Sequence, residues 1–221
     1  MTVLLVLATF IIFLTIDWFY SRKRVPAPVM EFQTAAAPAR RPEVVEGFLL
    51  PESLRYHFGH TWAQAEGPQS VRVGLDDLAA RFVGKANSLR LPKRGQWVRQ
   101  GQKAWSIERD GRTVDMVAPV EGMITDVNEA AVADPQLALR DPYGEGWLLR
   151  LHSPDAGTNF RNLLSGAVAR KWMEEAARHL RGAIPAMAGA YAQDGGLMLE
   201  NLSEHLPEEE LSKLTRELFL S

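Results

Sequence analysis

The sequence contains no cysteine, which excludes disulfides, thiolate zinc sites, iron–sulfur ligands and cysteine nucleophiles. It also lacks surplus positive charge, because 25 Lys and Arg residues stand against 27 Asp and Glu residues. A globally basic nucleic-acid binder is therefore excluded, since such a protein needs excess cations to displace phosphate counterions. With 46% hydrophobic residues, the 221-residue chain is not mainly disordered, and it is long enough for one substantial domain with attachments.

The residue patterns of common catalytic sites are missing as well. Gly84-Lys85 lacks the earlier glycine that a phosphate-binding loop requires. His57 and His60 could share a metal ion, but their spacing alone is a weak signal, and structural or surface roles are favoured for both. We therefore expect a protein that is not an enzyme and has no catalytic residue, no bound metal and no cofactor.

A long apolar run opens the chain. From Val3 to Ile16 every residue is apolar except for threonines. Counted over residues 2–20, the run has about 19 residues and would span roughly 28 Å as a helix, close to the hydrocarbon thickness of a bilayer. We expect a transmembrane anchor at residues 1–21 that contacts lipid through residues 2–20.

The flanks of this run favour a retained anchor and set its orientation. Aromatic residues suited to the membrane interface end it, and basic residues follow: Trp18, Phe19, Tyr20, Arg22, Lys23 and Arg24. A cleaved signal peptide has its basic residues before the apolar run, and a buried core helix would not be cut off by nearby prolines. Because lysine and arginine stay on the cytoplasmic side, we expect a single-pass inner-membrane protein with its N-terminus outside and its soluble domain in the cytoplasm.

Residues 22–50 are rich in proline and alanine, with prolines at positions 26, 28, 38 and 42. Proline blocks helix propagation and favours extended backbone, so these residues are predicted to form a semi-rigid linker. The globular domain is then expected at residues 51–181, followed by a helical extension at residues 182–221.

The pattern of residues 56–152 predicts a β-rich domain. Short stretches with alternating apolar residues are separated there by turn residues, and Ser70–Leu75 is a clear example. Asp76 can cap a short helix that follows this strand. Asp110-Gly111 lies between two strand-like stretches and predicts a β-hairpin, because both turn positions need a positive φ.

Several short motifs follow one another in this domain. They are His60-Thr61-Trp62; Val73-Gly74-Leu75-Asp76; Leu91-Pro92 with Gly95, Val98 and Gly101; Ala118-Pro119-Val120-Glu121-Gly122 with Val127-Asn128; and Asp141-Pro142-Tyr143-Gly144-Glu145-Gly146-Trp147-Leu148. The ordered set resembles the H-protein family of the glycine cleavage system, whose members carry a lipoyl group. The resemblance covers roughly residues 56–175. It implies a mainly β, lipoyl-type barrel-sandwich hybrid, here with an added transmembrane helix and C-terminal helical extension.

The resemblance also identifies where this chain departs from the family. In the family, a lysine at a hairpin tip carries the lipoyl arm through an amide bond. In the register set by Glu108 and Pro119, that position is Gly111. Arg112 cannot replace the lysine because a guanidinium is not acylated as an amine is, and the hairpin has no lysine after Lys103. The resemblance therefore implies a degenerate, non-lipoylated member.

The C-terminal third is predicted to be helical. Residues 167–180 carry an apolar stripe at helical spacing, which is expected to pack on the chain's own β domain. A last helix begins at Pro207, with acidic residues in its first turn. Its apolar face consists of Leu211, Leu214, Leu218 and Phe219. These side chains are candidates for contact with a partner protein, while packing on the β domain is the open alternative.

These features favour a non-catalytic, non-lipoylated, membrane-anchored accessory or scaffolding subunit of a larger inner-membrane complex. An energy-transducing complex of respiration or photosynthesis is one class of host. One alternative is a membrane-tethered docking or regulatory module for lipoate-handling enzymes of the glycine cleavage type. Another is an active lipoyl carrier that is modified on a residue other than lysine. The expected partners are the lipid bilayer and other subunits of a membrane complex, and not nucleic acid.

Overall fold

The structure is a computed structural model, and it describes residues 43–183 and 208–220. The predicted anchor at residues 1–21 and the linker up to residue 42 lie outside the described residues. The same is true of the predicted membrane-interface residues Trp18, Phe19, Tyr20, Arg22, Lys23 and Arg24. Among the described helices, none has the length and hydrophobicity that crossing a bilayer requires.

The strands of the described residues are short. They are β1 (Glu43–Val45), β2 (Phe48–Leu50), β3 (Arg55–His57), β4 (Thr61–Ala65), β5 (Ser70–Leu75), β6 (Ser88–Arg90), β7 (Trp97–Val98), β8 (Lys103–Arg109), β9 (Arg112–Val117), β10 (Gly122–Val127) and β11 (Leu149–His152). The helices are α1 (Asp77–Val83), α2 (Glu129–Ala133), α3 (Pro135–Arg140), α4 (Ala156–Arg161), α5 (Gly166–Ala183) and α6 (Glu208–Phe219).

The strands form antiparallel sheets around one apolar core. The largest sheet has the order β3-β4-β5-β11-β10-β7, a second has the order β6-β8-β9, and β1 pairs with β2. A cluster of buried apolar side chains, which includes Trp62, Trp105 and Phe82, joins the sheets to the helices. The prediction of a β-rich domain is confirmed.

Local sequence accounts for the step from β5 to α1. The strand forms at Ser70–Leu75 as predicted, with its valines and its leucine buried against the core. Asp76 then caps α1, because its Oδ1 accepts a hydrogen bond from the Ala79 N–H at 2.9 Å. The helix ends at Gly84, so the predicted strand–cap–helix order is confirmed.

The motif residues pack against one another. Trp62 is completely buried, and its indole N–H donates a hydrogen bond to the carbonyl of Pro142 at 3.0 Å. A Cβ atom at Gly74 would lie 2.7 Å from the Trp62 ring, so this close approach requires glycine. The His-x-Trp, Val-Gly and Asp-Pro-Tyr motifs therefore meet in one packing unit.

The expectation that residues 22–50 form a linker is wrong for β1 and β2. Phe48 is completely buried. The Leu49 N–H donates to Oδ2 of Asp77 at 2.8 Å, and the Leu49 carbonyl accepts from the Tyr143 hydroxyl at 2.7 Å. The globular domain therefore begins before the predicted boundary. Each of these strands has 3 residues, which is too short to show a period of two in the sequence.

Candidate functional site

The turn between β8 and β9 is an exposed hairpin tip. Asp110 and Gly111 have φ angles of 48° and 79°, and two successive positive φ values are typical of a type I′ hairpin turn. A Cβ atom built on Gly111 would meet no atom within 4 Å. The hairpin predicted from Asp110-Gly111 is confirmed, and its tip is open to solvent.

Hydrogen bonds hold this tip against the segment that follows α1. The Asp110 N–H donates to Oδ1 of Asn87 at 2.9 Å, and the Asn87 N–H donates to the carbonyl of Glu108 at 2.8 Å. The guanidinium of Arg109, which is only 7% exposed, donates to the carbonyl of Val83 at 2.5 Å. Residues 108–110 of the hairpin are therefore held to residues 83–87 at the end of α1.

The tip itself carries no primary amine. Lys103 begins β8 at the opposite end of the hairpin, where its Nζ lies 2.6 Å from Oδ2 of Asp115. Arg112 follows Gly111 directly and is exposed. Lys85 is also exposed, and it lies in the segment after α1 that contacts the tip. Among the described residues, Lys213 is a second exposed amine in an element that flanks the hairpin, because it lies on α6, which contacts β9.

Helix α6 packs on its own chain. Its apolar side chains are buried, with exposed fractions of 6% for Leu211, 3% for Leu214, 6% for Leu218 and 0% for Phe219. The helix lies chiefly beside β9 and also contacts α5. Their candidacy for partner contact is therefore wrong, and the open alternative, packing on the chain's own β domain, is what the structure shows. An amphipathic face predicts that a helix packs on something, but it does not identify the surface that receives it.

Phe219 is the innermost residue of α6. Its ring meets Phe82 edge-on, with ring centroids 5.1 Å apart, and it meets His60 edge-on at 5.7 Å. Its carbonyl oxygen would lie 2.8 Å from a Cβ atom at Gly59. The end of the helix is thus closely fitted to the turn that precedes β4.

His60 has buried partners that the sequence did not reveal. Its Nδ1 lies 2.7 Å from Oδ2 of Asp76, and the two side chains are 1% and 0% exposed. Its ring stacks on Trp172 of α5, with centroids 4.5 Å apart. His57 makes a different contact, since its Nδ1 accepts a hydrogen bond from the Gly59 N–H at 3.0 Å. The two histidines therefore have separate structural roles.

Burial shifts the pKa of three side chains near His60 and Asp76: His57, Tyr56 and Tyr143. It lowers the pKa of His57, which keeps the imidazole neutral and able to accept a hydrogen bond. Burial also raises the pKa of Tyr56 and Tyr143, and the negative charge of Asp76 raises both further. The hydroxyls stay protonated and act as donors, as Tyr56 does to the carbonyl of Pro51 at 2.9 Å. The neutral forms of His57, Tyr56 and Tyr143 therefore make hydrogen bonds that stabilise the folded domain.

A groove of about 440 Å³ lies between the hairpin and α6, and we call it the tip groove. One wall consists of residues 111–115, and the other consists of Leu211, Ser212, Thr215, Arg216 and Leu220. The walls are separated by about a hundred residues in the chain, so no local sequence signal could have revealed the groove. It begins at Gly111, which joins it directly to the hairpin tip.

Comparisons of the sequence with known proteins identify one family. The family model for the glycine cleavage H-protein matches residues 54–176. The probable glycine cleavage system H protein of Aeropyrum pernix is 36% identical over 118 residues, which are 53% of this chain and 81% of that protein. The glycine cleavage system H protein of Mycobacterium avium is 36% identical over 107 residues, or 48% of this chain and 81% of that protein.

The chain is also similar to one solved structure. The crystal structure of a glycine cleavage system H protein from Mycobacterium marinum has 32% sequence identity to this chain and a TM-score of 0.44. The match covers 48% of this chain and 87% of that one. By class the described chain is a mainly β, lipoyl-type domain. The family-model match over residues 54–176 shows that it belongs to the glycine cleavage H-protein family. The family match leaves out β1, β2 and α6.

Proposed function

We propose that this chain is a non-lipoylated, membrane-anchored family member that works as an accessory or scaffolding subunit of a larger inner-membrane complex. It has no catalytic role and carries no cofactor. Its soluble domain faces the cytoplasm, and its partners are the bilayer and other subunits of the complex. The host complex is of an energy-transducing kind, respiratory or photosynthetic.

The observation that carries this proposal is Gly111 at the hairpin tip. By the register of the family resemblance, Gly111 occupies the position of the lysine that bears the lipoyl arm. The tip is well formed and exposed, so the missing element is the amine and not the hairpin. A swinging-arm carrier without an attachment amine cannot carry its cargo.

The position of α6 supports the same conclusion. The helix lies beside β9, and Phe219 at its end packs against His60 and Phe82. A mobile arm attached at the tip would need free surface next to the hairpin. Here the chain's own helix covers part of that surface, which suits a fixed structural subunit.

The membrane part of the proposal is supported by the sequence of residues 1–24. An apolar run of bilayer length is followed by interfacial aromatic residues and by Arg22, Lys23 and Arg24. One anchor with one extrinsic domain that lacks catalytic groups is an architecture suited to an accessory subunit.

The exposed tip favours a second candidate function. Gly111 and Arg112 are accessible, so a protein that recognises the hairpin could still reach it. On this hypothesis the chain is a membrane-tethered docking or regulatory module for lipoate-handling enzymes of the glycine cleavage type.

Co-purification from membranes tests the two candidates. The full chain, tagged after Ser221, is extracted in mild detergent, and the accompanying proteins are identified by mass spectrometry. A variant that begins at residue 25 is the matched control for the anchor. We expect a defined set of membrane proteins in constant ratio with the full chain and not with the control. Recovery of soluble lipoate enzymes would favour the second candidate, and recovery of the chain alone would contradict both.

A further inference from the structure

We propose that the tip groove binds an extended, acidic segment of a partner protein, which adds a strand to the free edge of β9. This inference rests on the proposed function, because it names the kind of partner that a non-carrier subunit would dock beside its hairpin tip. Three features of the groove carry it: an unpaired strand edge, a flanking helix and uncompensated positive charge.

The strand edge is the first feature. In the sheet β6-β8-β9, strand β9 pairs with β8 on one side, from Arg112 opposite Arg109 to Val117 opposite Lys103. Within the described part of the chain, no backbone hydrogen bond joins residues 112–117 to any other element. In an antiparallel edge strand, alternate residues direct their N–H and C=O groups away from the partner strand. With respect to the described residues, β9 therefore offers a row of donors and acceptors that have no backbone partner.

The flanking helix is the second feature. Helix α6 lies beside β9, and residues from both elements line the groove. Its apolar lining is formed by Val114 on the strand, Leu211 on the helix and Leu220 directly after the helix. A groove between an edge strand and a helix suits an extended peptide, because the backbone pairs with the edge while alternate side chains reach the apolar lining.

The charge of the groove is the third feature. Arg112 and Arg216 stand on opposite walls, both exposed, and neither has a carboxylate partner among the described residues. Within residues 43–183 and 208–220, Arg216 donates only to Ser212 of its own helix, at 3.4 Å to the carbonyl and 3.2 Å to the hydroxyl. The one carboxylate in the lining, Asp115, pairs with Lys103. The groove therefore has a surplus of positive charge and complements carboxylates.

A synthetic peptide serves as the probe. It is a fluorescein-labelled, C-terminally amidated peptide of alternating glutamate and valine, six residues long between terminal serines. Binding to the full chain in mild nonionic detergent is followed by fluorescence anisotropy. One comparison peptide has glutamine in place of glutamate, and a second is N-methylated at alternate residues so that it cannot complete a strand ladder. We expect each comparison peptide to bind about tenfold more weakly than the probe.

Variants of the protein test the charge. A double variant that carries both Arg112→Glu and Arg216→Glu should bind the acidic probe at least about tenfold more weakly than the parent does. Arg161→Glu is the control for a charge reversal away from the groove, since Arg161 is also exposed and its one partner among the described residues is Thr158, and it should leave binding unchanged. All these side chains are exposed, so the circular dichroism of each variant should match that of the parent.

Hydrogen exchange of β9 amides tests strand addition. Alternate amides should exchange quickly in the free protein and slowly with the probe bound. Protection of all β9 amides without the probe would overturn the proposal. If that protection increased with protein concentration, the occupant of the edge would be a second copy of this chain. Equal binding of the glutamine or N-methylated peptide, or no binding at millimolar concentration, would also overturn it.

The same variants separate this inference from the proposed function. If the full chain co-purifies with membrane partners and the double arginine variant keeps all of them, the groove is not the docking site and the accessory role stands. If the full chain has no membrane partner but binds the probe as described, the groove assignment stands and the accessory role fails.

Discussion

Two regions of the molecule differ in how their residues pack. One is the part that matches the family, and the other consists of the elements that flank it. Within residues 54–176, motif residues fit one another by shape, as Gly74 does under the ring of Trp62. The flanking elements β1, β2 and α6 instead dock on that domain with apolar side chains such as Phe48 and Phe219. Family membership therefore accounts for the packing of the motif residues, but it does not account for the flanking elements that complete the same core.

Helix α5 contacts both flanking regions, in addition to their contacts with other parts of the domain. Arg170 of α5 pairs with Glu43 at 2.5 Å, and Arg181 pairs with Glu46. At the other flank, His179 pairs with Glu217 at 2.9 Å. These pairs are partly exposed, so they fix orientation more than they stabilise. The burial of Phe48 and Phe219 supplies the larger share of the docking energy.

The largest expected effect on stability comes from removing the aromatic ring by which α6 packs into the core. Phe219→Ala should lower the free energy of unfolding by about 3 kcal/mol, because it removes a buried aromatic ring between Phe82 and His60. Chemical denaturation measures the change. Leu220→Ala is the matched control, since Leu220 is 40% exposed, and it should change stability by less than about 0.5 kcal/mol. Equal, small effects of both would show that α6 is not part of the core.

A slightly smaller effect is expected inside the family-matched region. Gly74→Ala places a methyl group 2.7 Å from the Trp62 ring and should destabilise the domain by about 2 kcal/mol. Gly157→Ala is its control, because a Cβ there meets nothing within 4 Å; it should be neutral or stabilise by up to about 1 kcal/mol. Thermal unfolding of both variants measures this, and a tolerated Gly74→Ala would contradict the packing account.

Restoring an amine at the tip should have a moderate effect on stability and none on assembly. Gly111→Lys meets no steric obstacle, but it places a side chain at a φ of 79°, which should cost about 1 kcal/mol. Denaturation measures the stability, and co-purification measures the assembly. Loss of the complex with an intact fold would mean that the tip itself is an interface, as the docking-module hypothesis requires.

The smallest expected effect is a pH dependence at the turn before β4. Burial lowers the pKa of His57 in the folded state below its ordinary value of 6.5. The unfolded chain then binds a proton more readily, so stability should fall as the pH drops below about 6.5. Unfolding between pH 5.5 and 7.5 measures the slope, and His57→Gln should flatten it. An unchanged slope in the variant would assign the effect to other groups.

Much of the β domain could be predicted because its signals are local. The alternation of Ser70–Leu75, the cap at Asp76 and the Asp110-Gly111 turn each act within a few residues, and the structure confirms all of them. The short helices α2 and α3 could not be predicted in this way. Each has only 5 or 6 residues, so helical periodicity cannot develop.

The surroundings of the site depended on long-range contacts and escaped prediction. The apolar face of α6 was read correctly from the spacing of Leu211, Leu214 and Leu218, but the surface that buries it was not. The pairing of His60 with Asp76 joins two motifs, and the paired residues lie 16 positions apart in the sequence, so no local pattern predicts it. The tip groove likewise exists only because the end of the chain returns to β9.

The central claim is that this chain has the family's hairpin but carries no lipoyl group on it. Intact-mass spectrometry of the native protein, purified from membranes and followed by peptide mapping, tests it most directly. The account predicts the mass of the unmodified sequence, apart from N-terminal processing, with an unmodified β8–β9 hairpin and an unmodified Lys85. An added lipoyl mass on the hairpin or on Lys85 would contradict it.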